Sequence, residues 1–286
     1  MGRIDEKDVP LRQLAWLIHE NLPGTSNDVI HPAFCASSDL EVKPGLRDLS
    51  QSQSVPIEEC NDTDEDSFEK LCAAVHSAEP LLVRGLATNM PAFEKWSFPY
   101  LLEELHSRTF PVEIGTKYSD EEWSQKMMTF KDFLENAENQ RLYLAQHRLF
   151  DQVPHLKRDV IIPDICFSES INPDVVDMNM WIGPEGTVSP LHTDPRKNMF
   201  VQMHGTKVFR MVAPEDSEAV YPFDGMLSNT SQVDVEHPDL TAHPDFAEIR
   251  VFDATVNAGD ALFIPKTWWH YVRSVTPSIS VSFWFD

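Results

Sequence analysis

Two histidines and one aspartate are the residues of this sequence most suited to binding a metal. His192 and Asp194 stand one residue apart. On an extended backbone alternate side chains point to the same face, so both could reach one ion. His270 is the best candidate for a third ligand. The turn Asn257–Asp260 precedes it, so we expect His270 to follow a strand of the same sheet.

Two histidines with one carboxylate suit more than one metal. They form the facial triad of non-haem Fe(II) oxygenases, in which open positions remain for a bidentate 2-oxo acid and for O₂. Catalytic zinc also uses two histidines with one carboxylate, and it activates water for hydrolysis. The ligand set alone therefore leaves an oxygenase and a zinc hydrolase open.

Lys207 favours the oxygenase. Residues Met199–Phe209 are predicted to form a hairpin that turns at Gly205, with Lys207 and Phe209 on the core face of its second strand. A buried ammonium group needs an anion, and the distal carboxylate of 2-oxoglutarate would supply one. The alternative is a lysine on an edge strand that extends to water. Arg210 falls on the opposite face and is predicted to be solvated.

The elements that must position these residues are mostly short strands. After Tyr143, short apolar runs recur between Gly, Pro, Asp and Asn residues, at 178–182, 199–203, 207–212, 251–256, 261–264, 270–275 and 279–285. Such a series predicts a mainly β fold with flanking helices packed outside it. Helices are expected over 67–77, 97–107 and 129–138, with a short buried strand within Pro80–Gly85.

The first part of the chain has a different composition and a different apolar pattern. Residues 9–22 show helical apolar spacing and end at Pro23-Gly24, and residues 24–55 are rich in Ser, Pro, Asn and Asp. We therefore divide the chain into residues 1–54, a short helix and connector, and residues 55–286, the domain that carries the metal ligands.

The charge balance favours a basic protein partner over nucleic acid. The formal net charge is −23, from 46 acidic and 23 basic residues, and such a surface repels phosphate backbones. Solubility alone is the simpler explanation of this charge. The acidic run Glu58–Asp66 is predicted to be a solvated loop. The four cysteines are scattered, which indicates reduced thiols, and neither a signal peptide nor a membrane-spanning stretch is evident. We expect a soluble nuclear or cytoplasmic protein, or one found in both compartments.

Several segments are similar to a known family. Residues 180–210 and 259–286 resemble the Jumonji-C domain, a double-stranded β-helix (jelly-roll) of the cupin superfamily. The similarity is closest to the Jumonji domain-containing protein five subfamily and is carried by Tyr143–His147, Leu149–Gln152, Asn229–Val235 and Ser280–Trp284. The resemblance implies a cupin-like Jumonji-C oxygenase domain over residues 55–286, with Fe(II) and 2-oxoglutarate as cofactors and O₂ as cosubstrate.

The resemblance also implies roles for eleven residues. The implied iron ligands are His192, Asp194 and His270. The implied 2-oxoglutarate ligands are Tyr143, Ser189, Asn198 and Lys207. The implied pocket for an arginine side chain consists of Glu113, Tyr118, Trp181 and Trp284. A carboxylate and aromatic faces suit a guanidinium group. Without the resemblance, Glu113 and Tyr118 would be assigned to an ordinary surface strand and a turn.

These observations favour a protein hydroxylase that acts on arginine carbons in a basic ribosomal, chromatin-associated or histone target. Demethylation of histone methyl-lysine uses the same metal chemistry and stays open. A metallopeptidase acting on basic tails is less well supported, because the sequence has no HExxH helix. A non-catalytic acidic binding module is disfavoured by the complete ligand set together with Lys207.

Overall fold

The structure, a computed structural model, describes residues 34, 53–115, 118, 122–168 and 172–286. The helix predicted over residues 9–22 and most of the predicted connector lie outside the described residues. The division at residue 54 therefore stays a prediction. Within the described residues, no helix is long and apolar enough to cross a membrane.

The described residues form fourteen strands and five α-helices. The strands are β1 (Ser54–Pro56), β2 (Glu59–Asn61), β3 (Leu81–Arg84), β4 (Thr109–Ile114), β5 (Ser124–Thr129), β6 (Leu142–His147), β7 (Asp177–Gly183), β8 (Val188–His192), β9 (Lys197–His204), β10 (Thr206–Val212), β11 (Val251–Asn257), β12 (Ala261–Ile264), β13 (Trp269–Ser274) and β14 (Ser278–Phe285). The helices are α1 (Ser67–Ser77), α2 (Pro91–Lys95), α3 (Phe98–Leu105), α4 (Phe130–Gln140) and α5 (Leu149–Gln152).

The strands form two sheets, and the chain passes from one sheet to the other repeatedly. One sheet has the order β1-β11-β10-β13-β8 and the other β2-β3-β12-β9-β14-β7-β6-β4-β5. From β7 to β10 each successive strand lies in the opposite sheet, and the same holds from β11 to β14. This winding is that of a jelly-roll, so the predicted fold class is confirmed.

Apolar side chains fill both faces of the longer sheet. A cluster that includes Phe200, Phe209, Val256 and Leu262 lies between the two sheets. The helices cover the outer face, where α3 and α4 bury residues such as Leu101 and Phe133. Ser97 and Thr129 cap the N-termini of α3 and α4, since the hydroxyl of each accepts a hydrogen bond from a backbone N–H of the first turn.

The hairpin predicted over Met199–Phe209 is wrong. β9 and β10 belong to different sheets, and the chain crosses between them at Gly205. Gly205 has φ of +76°, and a Cβ atom there would lie 2.1 Å from the carbonyl oxygen of Pro277. The crossing therefore requires glycine.

The two cations of β10 are both buried. β10 lies between β11 and β13, so the edge-strand alternative for Lys207 is wrong. The prediction that Arg210 is solvated is also wrong, because only 4% of it is exposed. Arg210 donates to the carbonyl of Val235 and its Nε lies 3.4 Å from Asp253. An apolar cluster that includes Val235 and Phe246 covers this outer face of the sheet.

The acidic run Glu58–Asp66 is only partly a loop. Its residues Glu59–Asn61 form β2, which pairs in parallel with β3. Glu59 forms an ion pair with Arg84 at 2.7 Å. The solvated-loop prediction is therefore wrong for these three residues.

Candidate metal centre and adjoining pocket

The two histidines of the candidate centre meet across neighbouring strands. His192 is the last residue of β8, and it lies directly opposite His270 of β13 in an antiparallel pair. Two predictions about the backbone are wrong. Asp194 lies beyond the end of β8, and the strand before His270, β12, belongs to the other sheet.

Asp194 is positioned by hydrogen bonds of the loop backbone. The Asp194 carbonyl accepts from the N–H of Thr267 at 3.0 Å, and the neighbouring Thr193 N–H donates to the Asn229 carbonyl at 2.9 Å. Thr267 has φ of +68°, a left-handed conformation in which only a minority of non-glycine residues are found. These contacts hold the carboxylate against the two histidines without a strand.

The three side chains present their ligand atoms to one point. Asp194 Oδ1 lies 3.9 Å from His192 Nε2, and Asp194 Oδ2 lies 3.5 Å from His270 Nε2. All the ligand atoms lie within 4.8 Å of one another. Ligands bound at about 2.1 Å from one ion stand roughly 3 to 3.5 Å apart, so a small contraction would complete the centre.

Hydrogen bonds fix which ring nitrogen is available. His192 Nδ1 donates to the Pro190 carbonyl at 2.7 Å, and His270 Nδ1 donates to the Trp268 carbonyl at 3.0 Å. Because a carbonyl only accepts, each Nε2 keeps its lone pair for a metal. Burial, followed by the neighbouring His270, lowers the pKa of His192 to about 4. The ring is therefore neutral at physiological pH, as a metal ligand must be.

Lys207 has no anionic partner among the described residues. It is 1% exposed, and its Nζ donates to the Tyr143 hydroxyl at 3.1 Å. The rings of Tyr143, Trp181 and Phe200 surround the ammonium with centroids 5.4, 6.0 and 5.4 Å away. Burial lowers its pKa to about 7. Such a cation fits the distal carboxylate of a dicarboxylate ligand.

The other predicted cosubstrate residues surround the same space. Tyr143, Ser189, Asn198 and Lys207 line one cavity together with the three metal ligands. Asn198 is 4% exposed, and its Oδ1 has no hydrogen-bond partner in the described part of the chain. The cavity measures about 20 Å³, close to the space of one water, so a dicarboxylate would have to push the lining side chains apart.

A larger, outer cavity of about 310 Å³ adjoins this inner cavity, and the two share Trp181, Ser189, His192 and Asp194. It contains all the residues predicted for an arginine pocket: Glu113, Tyr118, Trp181 and Trp284. The structure thus brings the four together beside the metal ligands.

Each pocket residue has a distinct environment. Burial raises the pKa of Glu113. The hydroxyl of Tyr118 lies 3.1 Å from that of Thr230, and its ring stands edge-on to His192. Trp181 Nε1 donates to Ser282 at 2.9 Å, whereas Trp284 Nε1 is buried without a partner among the described residues.

Four further residues of this larger cavity were not predicted from the sequence: Ala145, Gln146, Pro195 and Asn229. Gln146 has φ of +46° and lies where the pairing of β6 with β7 shifts register. Tyr143–His147 and Asn229–Val235 carried the family resemblance, which was the only available signal for Gln146 and Asn229.

Replacing Lys207 by methionine should raise the 2-oxoglutarate concentration needed for half-saturation at least about tenfold, because a charge-assisted hydrogen bond is lost. The same change should stabilise the ligand-free fold. The pKa of Lys207 is lower in the folded chain than in the unfolded chain, because burial disfavours the charged form. The charged lysine therefore lowers the free energy of unfolding by its full amount below about pH 7, and this effect disappears as the pH rises to the ordinary lysine pKa. Titration of succinate formation and melting curves from pH 7 to pH 10 test both effects. An unchanged half-saturation would show that another residue holds the carboxylate.

Comparison with known proteins places this chain in a family. The model of the cupin-like domain matches residues 66–286. Lysine-specific demethylase 8 of Danio rerio is 46% identical over 73% of this chain and 53% of its own length. Jumonji C domain-containing protein 5 of Drosophila melanogaster is 40% identical, with coverages of 77% and 57%. Lysine-specific demethylase JMJ30 of Arabidopsis thaliana is 40% identical, with coverages of 72% and 50%. The chain spans about half the length of these relatives.

Proposed function

Since the chain belongs to the cupin-like Jumonji-C family of Fe(II)- and 2-oxoglutarate-dependent oxygenases, we propose that it is a protein oxygenase that hydroxylates an arginine side-chain carbon. The proposed target is a basic ribosomal, chromatin-associated or histone protein, met in the nucleus or cytoplasm. When bound, iron and 2-oxoglutarate supply an oxidant that transfers one oxygen atom of O₂ to a C–H bond, with succinate and CO₂ as coproducts.

The residues of the inner cavity divide the work of holding these cofactors. His192, Asp194 and His270 would hold the metal through two neutral Nε2 atoms and a carboxylate. Lys207 and Tyr143 would hold the distal carboxylate, because they are the buried cation and hydroxyl that lie 3.1 Å apart. Ser189 and Asn198 complete the polar lining.

The observation that carries the choice of arginine is a half-buried carboxylate among aromatic rings. Glu113 lines the outer cavity with Tyr118, Trp181 and Trp284. A carboxylate can accept two parallel hydrogen bonds from a guanidinium, and ring faces attract the same cation. Such a site would hold the target side chain beside the metal ligands His192 and Asp194, which line the same cavity.

Demethylation of methyl-lysine is the second candidate. Two of the relatives above are named lysine-specific demethylases. The reaction also begins with hydroxylation of a C–H bond, here on an N-methyl group, and then releases formaldehyde. Glu113 favours arginine, because trimethylammonium has no N–H group to donate to a carboxylate.

The test uses peptides with identical flanks and a central arginine, lysine or trimethyl-lysine. We expect the arginine peptide alone to gain one oxygen atom, in a one-to-one ratio with succinate, when Fe(II), 2-oxoglutarate and O₂ are supplied. Intact-mass and fragmentation spectra locate that oxygen. Formaldehyde from the trimethyl-lysine peptide would favour the second candidate. Cleavage without 2-oxoglutarate would instead indicate a metallopeptidase.

A further inference from the structure

The outer cavity lies between two separate surfaces of the protein. Glu113, on one side, belongs to the ribbon of β4 and β5, the last two strands in the order of the nine-stranded sheet. Asn229, on the other side, belongs to Pro222–Ser231, which is bridged to β8 through Thr230 and His192. A bound segment would therefore pass between this ribbon and this loop.

The loop presents two apolar side chains to solvent. Met226 is 99% exposed and Leu227 is 38% exposed, both on the short 3₁₀ turn Gly225–Leu227. The turn is fixed, because Thr230 N–H donates to the Leu227 carbonyl at 2.8 Å. Met226 is three residues from the cavity residue Asn229, so their Cα atoms lie within about 11 Å.

The ribbon presents a matching side chain. Met127 is 58% exposed and lies opposite Pro111 in the pairing of β4 with β5. Pro111 and Glu113 are two residues apart on β4, so their side chains lie on the same face of the ribbon. Met127 therefore lies on the face from which Glu113 reaches the cavity. Phe110 and Met128 are paired on the opposite face and are buried.

Their positions on the ribbon and the loop distinguish Met127, Met226 and Leu227 from scattered surface hydrophobic residues. Seven large apolar side chains are exposed among the described residues, and three of them lie on the ribbon and the loop that contribute Glu113 and Asn229 to this cavity. Isolated exposed apolar residues are ordinary, but a group beside a binding cavity marks an interaction surface. Methionine side chains suit such a surface, because they adapt to different apolar partners.

We infer that Met127, Met226 and Leu227 form an apolar docking surface for the substrate segment on either side of the target arginine. This inference rests on the proposed function. A bound segment in extended form advances about 3.3 Å per residue, so the upper limit of about 11 Å between the Cα atoms of Met226 and Asn229 spans at most roughly three of its residues. The substrates are then extended segments with Leu, Ile, Met or Phe within about three positions of the arginine. Charge brings a basic protein to the acidic chain, and the apolar flanks select the site.

The experiment compares two peptides that each contain one arginine and differ only in the residues beside it. One peptide has leucine, and the other has serine, at the second and third positions before and after the arginine. Met226→Ser and Met127→Ser are each expected to raise the KM for the leucine-flanked peptide on the order of tenfold. The KM for the serine-flanked peptide should not move. Leu240→Ser is the matched control, because Leu240 is 45% exposed but belongs neither to the ribbon of β4 and β5 nor to the loop Pro222–Ser231.

Binding measured without turnover separates this inference from the proposed function. The Mn(II)-loaded protein with 2-oxoglutarate is titrated into fluorescent forms of both peptides. If no arginine peptide is oxidised but the leucine-flanked peptide still binds more tightly to wild type than to the variants, the docking surface stands and the proposed reaction fails. Equal affinity of wild type and both variants for the leucine-flanked peptide would overturn the inference. So would a wild-type dimer that Met226→Ser dissociates, since the surface would then bind a second copy of this chain.

Discussion

Replacing Asp194 by alanine is expected to abolish Fe(II) binding and succinate formation together. Asp194 places one carboxylate oxygen near His192 and the other near His270, and among the described residues it is the only carboxylate grouped with both histidines. Loss of an outer partner of a metal ligand already lowers affinity by about 10- to 100-fold, and loss of a ligand itself should cost more. Metal titration and succinate assays at equal Fe(II) concentration measure the two effects.

The fold should survive this change. Asp194 lies in a loop, and its described backbone contact uses the carbonyl, which alanine retains. Asp224→Ala is a suitable control, because it removes an exposed carboxylate from the nearby loop without touching the cavity lining. Wild-type succinate formation by Asp194→Ala at the same Fe(II) concentration would refute the assignment of this ligand.

Local patterns predicted the secondary structure near the site well. The helix expected over 67–77 and the strand expected over 261–264 have the bounds found in α1 and β12. The apolar residues of these segments pack against the core, so their spacing records the packing directly. β5 was not predicted, because it is largely exposed and has little apolar periodicity.

What the sequence could not predict was the relation between elements. Alternation in β10 correctly placed Lys207 on the inner face, but it could not reveal that another layer covers Arg210 on the outer face. Likewise, a glycine between two apolar runs has the same local pattern whether the chain forms a hairpin or crosses to a second sheet, as it does at Gly205. Tertiary contacts decide both cases.

The residues of the candidate site also differ in whether the sequence alone could identify them. His192, Asp194 and His270 stood out because few residue types bind metals, and Lys207 because a charge on an apolar face is unusual. Glu113 and Tyr118 are far from them in sequence and have no local pattern of their own. The family resemblance was needed to select them, and the structure then placed both in the outer cavity.

Replacing Glu113 by alanine is expected to lower arginine hydroxylation about a hundredfold or more, with nearly unchanged 2-oxoglutarate affinity. Glu113 lines the outer cavity, whereas Lys207 and Asn198 line the inner one, so the two binding tasks are separable. Without the carboxylate the guanidinium is less well held, and displacement of the reacting carbon by about 1 Å costs on the order of a hundredfold in rate. Product formation and 2-oxoglutarate binding are measured on the same preparations.

Two variants and a pH series make this test specific. Glu113→Gln keeps the shape but loses the charge, so its activity should fall between wild type and alanine. Glu122→Ala removes an exposed carboxylate between β4 and β5 and should behave as wild type. Because burial raises the pKa of Glu113, arginine binding is expected above that pKa and lost as pH falls through it. Glu113→Gln should lack this pH dependence. Normal hydroxylation by Glu113→Ala would mean that another group holds the arginine, and the aromatic rings would then be the first groups to replace.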